Sequence, residues 1–202
     1  MQKLIIGFSN IHRANIGPDG NFETPQRVPN GKKTSNKLNF EDSQDWADDK
    51  IVLDSSLYAG GEGSITFLGL SMDEYNMLFN HKRVKGGIAI TDQDIPKTGA
   101  WLWERRKKGT EHKRLYCLYA ATCKPTGIEA ESIEDGKADP EEVEVEYTIG
   151  SYSHTDGKNY ILHIVDTDDE TADQEMISNW FKKVQFPTEQ EVSVVDVKKA
   201  KK

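Results

Sequence analysis

The sequence predicts a mainly-β fold with one or two short flanking helices and long loops or arms. Three observations carry that expectation. Short apolar runs, several of them alternating residue by residue, are bounded by Gly, Pro, Asn and Asp along most of the chain. Two segments, opening at Ser71 and Thr171, combine the capping-box spacing with apolar residues at helical intervals. No internal repeat is evident, which argues against a solenoid.

Composition narrows the functional classes. The 202 residues are 36% hydrophobic and 30% charged, and mean hydropathy is −0.70, so there is room for one core but some segments must be loops or arms. Thirty-four acids against twenty-six bases leave a net charge of −8. That balance disfavours general binding to nucleic acid or to anionic membranes, both of which rely on positive surface. Lys3 interrupts an N-terminal apolar run too short for a signal peptide, and no apolar stretch of about 18 residues follows, so a soluble, unexported chain is expected. Cys117 and Cys123 lie in one strand-like run, separated by roughly 20 Å at ~3.3 Å per residue, far beyond disulfide reach. They read as reduced core thiols.

In chain order, Lys3 to Ser9 and the region around Phe22 to Val28 flank Gly17-Pro18-Asp19-Gly20, the signature of an N-terminal hairpin whose second arm is kept near an edge by Pro25 and Pro29. Residues 30–57 are polar and lack regular periodicity, and are expected to form a long projecting loop around Trp46, Asp48, Asp49 and Leu53. Trp46 then either folds back on its own domain or needs another surface. Ser64 to Leu70 reads as a strand introduced by Gly60-Gly61-Glu62-Gly63, and Ser71-Met72-Asp73-Glu74 as a capping box for a helix burying Met72, Tyr75, Leu78 and Phe79. Gly86-Gly87 ends the loop after it, and Ile88 to Ile90 begins a short strand.

Gly99 to Trp103 puts Trp101 and Trp103 on one strand face. Leu115 to Cys123 is the most apolar run, with Leu115, Cys117, Tyr119, Ala121 and Cys123 on one side and Tyr116, Leu118 and Ala120 on the other, as in a central strand covered on both faces. Glu104 to Arg114 reads as a charged hairpin turn around Gly109. After an acidic linker over about 126–140, Glu142 to Ile149 alternates so regularly that one face is apolar and the other carries Glu142, Glu144 and Glu146. Asp156-Gly157 signals a hairpin into Tyr160 to Val165. Thr171 to Val184 is expected to be a second helix, capped by Thr171 and Gln174 and burying Met176, Ile177, Trp180, Phe181 and Val184, with Lys182 and Lys183 suiting its C-terminal end.

No motif argues for catalysis, metal or cofactor. An EF-hand starting at Asp166 would need Gly and Glu where Thr171 and Ile177 stand, so the acids from Asp166 to Glu170 read as a solvated loop before a helix. The five histidines are scattered, neither cysteine opens a helix, and phosphate-cradling and GxSxG motifs are absent. The basic cluster Arg105, Arg106, Lys107 and Lys108, with Lys113 and Arg114, reads as a solvated turn or as a patch pairing with acids of another subunit. The glutamate strand is an ordinary solvent-facing strand or, with copies arranged in a ring, a negative strip that keeps a polyanion off a channel wall.

The succession of features resembles the major tail proteins that form the tail tube of long non-contractile-tailed bacteriophages (siphophages). The likeness spans about residues 1–187. It rests on the Asp19-Gly20 turn and its Pro-rich return, on Ala47-Asp48-Asp49, and on Gly61-Glu62-Gly63 leading into a strand and the Met72 to Phe79 helix. It continues through Arg114-Leu115-Tyr116-Cys117 to Pro125, the acidic linker, the alternating strand, and Asn179-Trp180-Phe181 before Pro187, with 188–202 as a C-terminal tail. The resemblance implies a tail-tube-type β-sandwich or barrel and no enzymatic activity. It also implies hexameric rings joined through their strands and stacked through a long loop and terminal arms.

On that resemblance the protein is a virion component assembled in the host cytoplasm. Its partners are further copies of itself, the tape measure protein, and the tail terminator and distal tail proteins. Double-stranded DNA passes through at genome ejection without specific binding, and no membrane is involved. Glu142, Glu144 and Glu146 would face the lumen. Trp46, Asp48, Asp49 and Leu53 would belong to the ring-stacking loop, and Arg105, Arg106, Lys107 and Lys108 to an inter-subunit basic patch. The alternative from the residues is a soluble β-sandwich module binding carbohydrate or peptide on a platform of Trp101, Trp103 and Tyr119. A third reading is a metal-dependent hydrolase using the acids Asp166 to Glu170.

Overall fold

Periodicity in the apolar runs resolves into twelve strands and two short helices in the computed structural model, which describes residues 3–47, 50–128 and 140–188, with side chains described outside 43–55. The chain is mainly β. In order it forms β1 (Ile5–Asn15), β2 (Gln26–Arg27), β3 (Gly31–Ala47), β4 (Lys50–Leu68), α1 (Met72–Phe79), β5 (Lys82–Val84) and β6 (Gly87–Ala89). It continues with β7 (Thr98–Lys107), β8 (Lys113–Cys123), β9 (Glu142–Gly150), β10 (Tyr152–Ser153), β11 (Asn159–Tyr160), β12 (Leu162–Asp166) and α2 (Gln174–Ser178). One antiparallel sheet runs β2-β1-β7-β8-β9-β4-β3, with β12 also pairing β8, and β5–β6 and β10–β11 form separate hairpins.

Two apolar layers flank this sheet. One packs Ile11, Ile65, Phe67, Trp101, Val145 and Tyr147 beneath Leu78 and Phe79 of α1. The other packs Ala100, Leu102, Leu115, Cys117 and Tyr119 beneath Trp180 and its neighbours from the C-terminal segment. Trp101 and Trp103 share a face, and β8 is covered on both sides, as its unbroken apolar run requires.

The N-terminal hairpin forms with His12 opposite Arg27 and β2 at the sheet edge. The Ser71–Glu74 capping box is complete: the Glu74 amide donates to the Ser71 hydroxyl at 3.3 Å, and the Ser71 amide to the Glu74 carboxylate at 2.6 Å. Asn80, at φ +59°, ends α1 in the left-handed region.

The fold departs from the sequence reading in six places, of which the smallest is Met72, the first residue of α1, which is exposed and not buried with Leu78 and Phe79. Residues 30–57 are not a loop: β3 and β4 pair from Gly31–Phe67 out to Ala47–Lys50 as a long antiparallel hairpin. Gly60 to Gly63 lie inside β4 rather than before it. Gly63 stands opposite both Asn36 and Tyr147, and a Cβ there would come within 2.8 Å of Asn36 Oδ1, so only glycine leaves space for the Tyr147 ring crossing to Asn36.

In β8, Trp101 pairs Leu118 but Gly99 pairs Ala121, so a bulge adds one residue. The bulge reverses the facing after Tyr119. Leu115, Cys117 and Tyr119 join one layer, whereas Ala121 and Cys123 join the other with Leu118. The hairpin turn between β7 and β8 is also shorter than expected, spanning only 108–112.

Helix α2 covers five residues, and its cap is Asp173, whose carboxylate accepts from the Glu175 and Met176 amides. Thr171 instead donates its hydroxyl to Asp169. A carboxylate two residues nearer the helix out-competes the hydroxyl for the exposed amides. The apolar residues predicted for this helix still pack on the second layer, most of them from the turns after it. Lys182 and Lys183 lie beyond the helix end. Most of the acidic linker (129–139) and of the tail (189–202) lies outside the described residues.

Candidate functional site

Strand β9 alternates without a break: Val143, Val145, Tyr147 and Ile149 are buried while Glu142, Glu144, Glu146 and Thr148 are exposed. Its register extends this polar face across two more strands. Lys33, Thr66 and Glu144 form one row, Ser35, Ser64 and Glu146 the next, and Lys37, Glu62 and Thr148 a third. The face is therefore sorted by charge, with lysines on the outer strand β3 and glutamates on β9. Lys32 pairs with Glu142, and Lys124 approaches Glu146 at 3.5 Å. Both pairs are solvent-exposed and hold little energy.

The outer edge of β3 is the second feature. This 17-residue strand ends the sheet, and among the described residues its pairing runs only to β4. From Gly61 to Leu68, β4 is sandwiched between β3 and β9. From Phe40 and Tyr58 outward the two strands pair only with each other, making a ribbon that continues past the sheet. Trp46 and Leu53 fall in the backbone of this ribbon, and Asp48 and Asp49 lie outside the described residues. Gly31, at the start of β3, lies against Ile11 and Phe8 of β1, and beyond it the unpaired edge presents a row of backbone donors and acceptors to another strand.

The basic cluster is largely consumed within the chain. Lys107, assigned to an inter-subunit patch, is fully buried: its ammonium pairs with Asp166 at 2.9 Å and with Asp168. Burial pulls its pKa down, but hydrogen bonds to Asp168 and Asp166 outweigh that effect and raise it. Arg105 donates to the Gly7 carbonyl at 2.9 Å, whereas Arg106 and Lys108 are exposed. Arg114 grips Asp166 with two hydrogen bonds of 2.5 and 2.7 Å, and this grip, despite burial, holds the Asp166 carboxyl down at about 2.

The same network answers the acidic-loop reading. Asp166 and Asp168 face Lys107 and Arg114, and Asp169 accepts from the Thr171 amide and hydroxyl. Among the described residues no group of three or more His, Cys, Asp or Glu side chains is placed to hold a metal ion. The histidines are not all solitary, however: His81 Nδ1 lies 2.7 Å from Asp94 Oδ2, and Asp94 also accepts from the Thr91 amide and hydroxyl.

The aromatic platform is contradicted. Trp101, Trp103 and Tyr119 are buried in the two apolar layers, where the sheet's own packing needs them. Cys117 and Cys123 are free and buried, and burial pushes both thiols up, away from the reactive thiolate. The lysines of β3 are the site residues that sequence reasoning passed over. Their signal was the alternation Lys33, Ser35, Lys37 against Thr34, Asn36, Leu38, too polar on both faces to register as a strand.

No family model matches the sequence, and no curated protein matches it. Among the described residues no helix is long and apolar enough to cross a membrane.

Proposed function

We propose that this chain is a self-assembling structural protein, the major tail protein of a long non-contractile-tailed bacteriophage, whose hexameric rings stack into the tail tube. The observation that carries the reading is the unpaired outer edge of β3, bordering a three-stranded section with one apolar and one polar face. Such a section is half of a construction. A neighbour that adds a strand at the edge satisfies its backbone and extends the polar face into the next copy.

Repeated around a ring, Glu142, Glu144 and Glu146 line the inside with negative charge. Double-stranded DNA then slides past a wall that repels it, with no specific binding. The tape measure protein occupies the same channel before ejection, and the terminator and distal tail proteins close its ends. On this reading the protein works in the virion tail after assembly in the host cytoplasm, and it needs no active site or cofactor.

Negative-stain electron microscopy of concentrated protein, with mass photometry of the same sample, tests the proposal. Hollow rings or tubes with six subunits per layer are expected. A strict monomer up to the solubility limit counts against it.

A further inference from the structure

Three of the five histidines bear on one stretch of chain. The segment from Gln174 to Phe186 packs on the second apolar layer, and each of its aromatic residues meets an imidazole from a different element. Phe181 faces His12 of β1 with ring centroids 4.8 Å apart, and Trp180 faces His163 of β12 at 5.3 Å. Phe186 stacks at 3.9 Å on His154, in the turn between β10 and β11. Besides apolar contact, the Tyr119 hydroxyl donates to the Gln185 carbonyl at 2.6 Å and the Trp180 indole to the Tyr116 carbonyl at 3.4 Å.

The two rings at the Trp180 and Phe181 end are poorly placed to carry charge. Burial lowers the pKa of His12, and Arg27, opposite it on β2, adds to that; the Asn10 carbonyl and Glu104 of β7 oppose the shift only in part. Glu104 is itself engaged by Lys113 at 2.9 Å. Burial lowers the pKa of His163 as well, with the Gln185 backbone acting the other way. Across the strand pair His163 meets Cys117, whose thiol burial keeps neutral. Its Nδ1 is buried and, among the described residues, has no hydrogen-bond partner, so an imidazolium, protonated on both nitrogens, leaves a buried N–H unsatisfied. The pull of an aromatic face on the charged ring is smaller than that cost. On the segment itself the charged residues are Glu175, Lys182 and Lys183, all exposed. His154 differs, because Asp156 Oδ1 lies 3.1 Å from its Nδ1 as a counter-ion for the charged ring.

We propose that His12 and His163 form an acid-sensitive clasp, which holds the turn carrying Trp180 and Phe181 onto the sheet while both rings are neutral and releases it when they charge, with Phe186 left anchored on His154. Both rings bind a proton more weakly when clasped than at the ordinary histidine value of 6.5, so the clasp is firm above that pH and weakens as pH falls below it. The window ends well above pH 2, where the Asp166 carboxylate titrates, so release precedes general acid unfolding. Release uncovers Leu102, Leu115 and Cys117 and leaves the layer under α1 intact. The clasp belongs to the single chain and stands apart from the tube reading.

The two native cysteines read it out, since Cys117 lies in the layer the segment covers and Cys123 in the other. Labelling uses 4,4′-dithiodipyridine, a disulfide that reacts with thiols in acid, with each site located by tandem mass spectrometry and its rate divided by that of urea-unfolded protein at the same pH. From pH 7.5 to 5.5 the normalised rate at Cys117 is expected to rise at least about tenfold while Cys123 stays protected. The variant H12N/H163F, in which neither position can charge, should hold the Cys117 rate flat, with a thermal melt at pH 7.5 confirming that it folds. Should the double variant not fold, each single variant is expected to remove part of the rise.

Labelling of Cys123 in step with Cys117 would be unfolding of the whole chain and would overturn the clasp. A flat Cys117 rate in the parent protein, or an undiminished rise in the folded variants, would overturn it equally.

Discussion

Arg13 and Trp101 face each other across β1 and β7, with the guanidinium carbon 5.1 Å from the indole centroid. Arg13 is buried and, among the described residues, pairs with no carboxylate. Its nitrogens donate instead to the carbonyls of Gly99 (3.1 Å), Lys97 (2.9 Å) and Ala121 (2.9 Å) and to the Asn15 side chain (3.0 Å). Gly99 and Ala121 flank the bulge between β7 and β8, where the ladder is interrupted and its carbonyls need donors. Burial depresses the pKa of the guanidinium, yet the planar fork and the indole face keep the charge housed.

Replacing Arg13 with Ala strands these acceptors and should cost about 3–5 kcal/mol in urea unfolding followed by tryptophan fluorescence. Arg13→Lys should recover only part of the loss, because an ammonium cannot span the same acceptors. A cost of under about 1 kcal/mol for the alanine variant would show that the bulge does not depend on this residue.

Gly63→Ala tests the close approach of Tyr147 to Asn36. The added methyl meets the ring that donates to Asn36 Oδ1 at 2.7 Å, and a destabilisation of about 1–3 kcal/mol is expected from calorimetry. Gly127→Ala, where a Cβ meets nothing within 4 Å, is the control and should melt with the parent.

Acid should weaken the fold through Asp166. Its folded pKa, about 2, lies below the ordinary carboxylate value of 3.8, so its stabilisation is fully present above pH 4 and is lost as pH falls toward 2. The contribution is on the order of 1 kcal/mol once solvent screening is allowed for. Asp166→Asn should flatten the dependence of the melting temperature on pH between about 4 and 2. An unchanged slope would show that Arg114 and Lys107 do not hold this carboxylate.

Glu142, Glu144 and Glu146 stand on an exposed face with their apolar neighbours turned inward, so the triple substitution to Gln should leave the melting midpoint nearly unchanged. Each change is worth less than about 0.5 kcal/mol. A loss of several kcal/mol would mean that the glutamates serve the fold and not a surface.

What could be read from the sequence follows from where a core dictates pattern. The β9 alternation, the Ser71–Glu74 cap and the paired tryptophans were legible because each packs one face against apolar neighbours. The β3–β4 ribbon was not. Its outer half lacks in sequence the apolar alternation that marks a strand, and it is the backbone pairing of β3 with β4 that makes it one. The bulge in β8 was hidden for a different reason: one extra residue in a run apolar on both faces changes which residues face which layer without changing the composition. Lys107 was read as surface because its partners, Asp166 and Asp168, join it only through the pairing of β8 with β12.

In the proposed assembly the edge of β3 is completed by another copy of the chain. Hydrogen–deuterium exchange on peptides covering residues 33–42, compared between dilute and concentrated protein, tests it most directly. The outward amides of β3 should slow by at least about tenfold on concentration, while peptides from β8, already paired on both sides, stay as they were. Identical exchange of β3 in dispersed and assembled protein would contradict the claim, because the edge would then remain open after assembly.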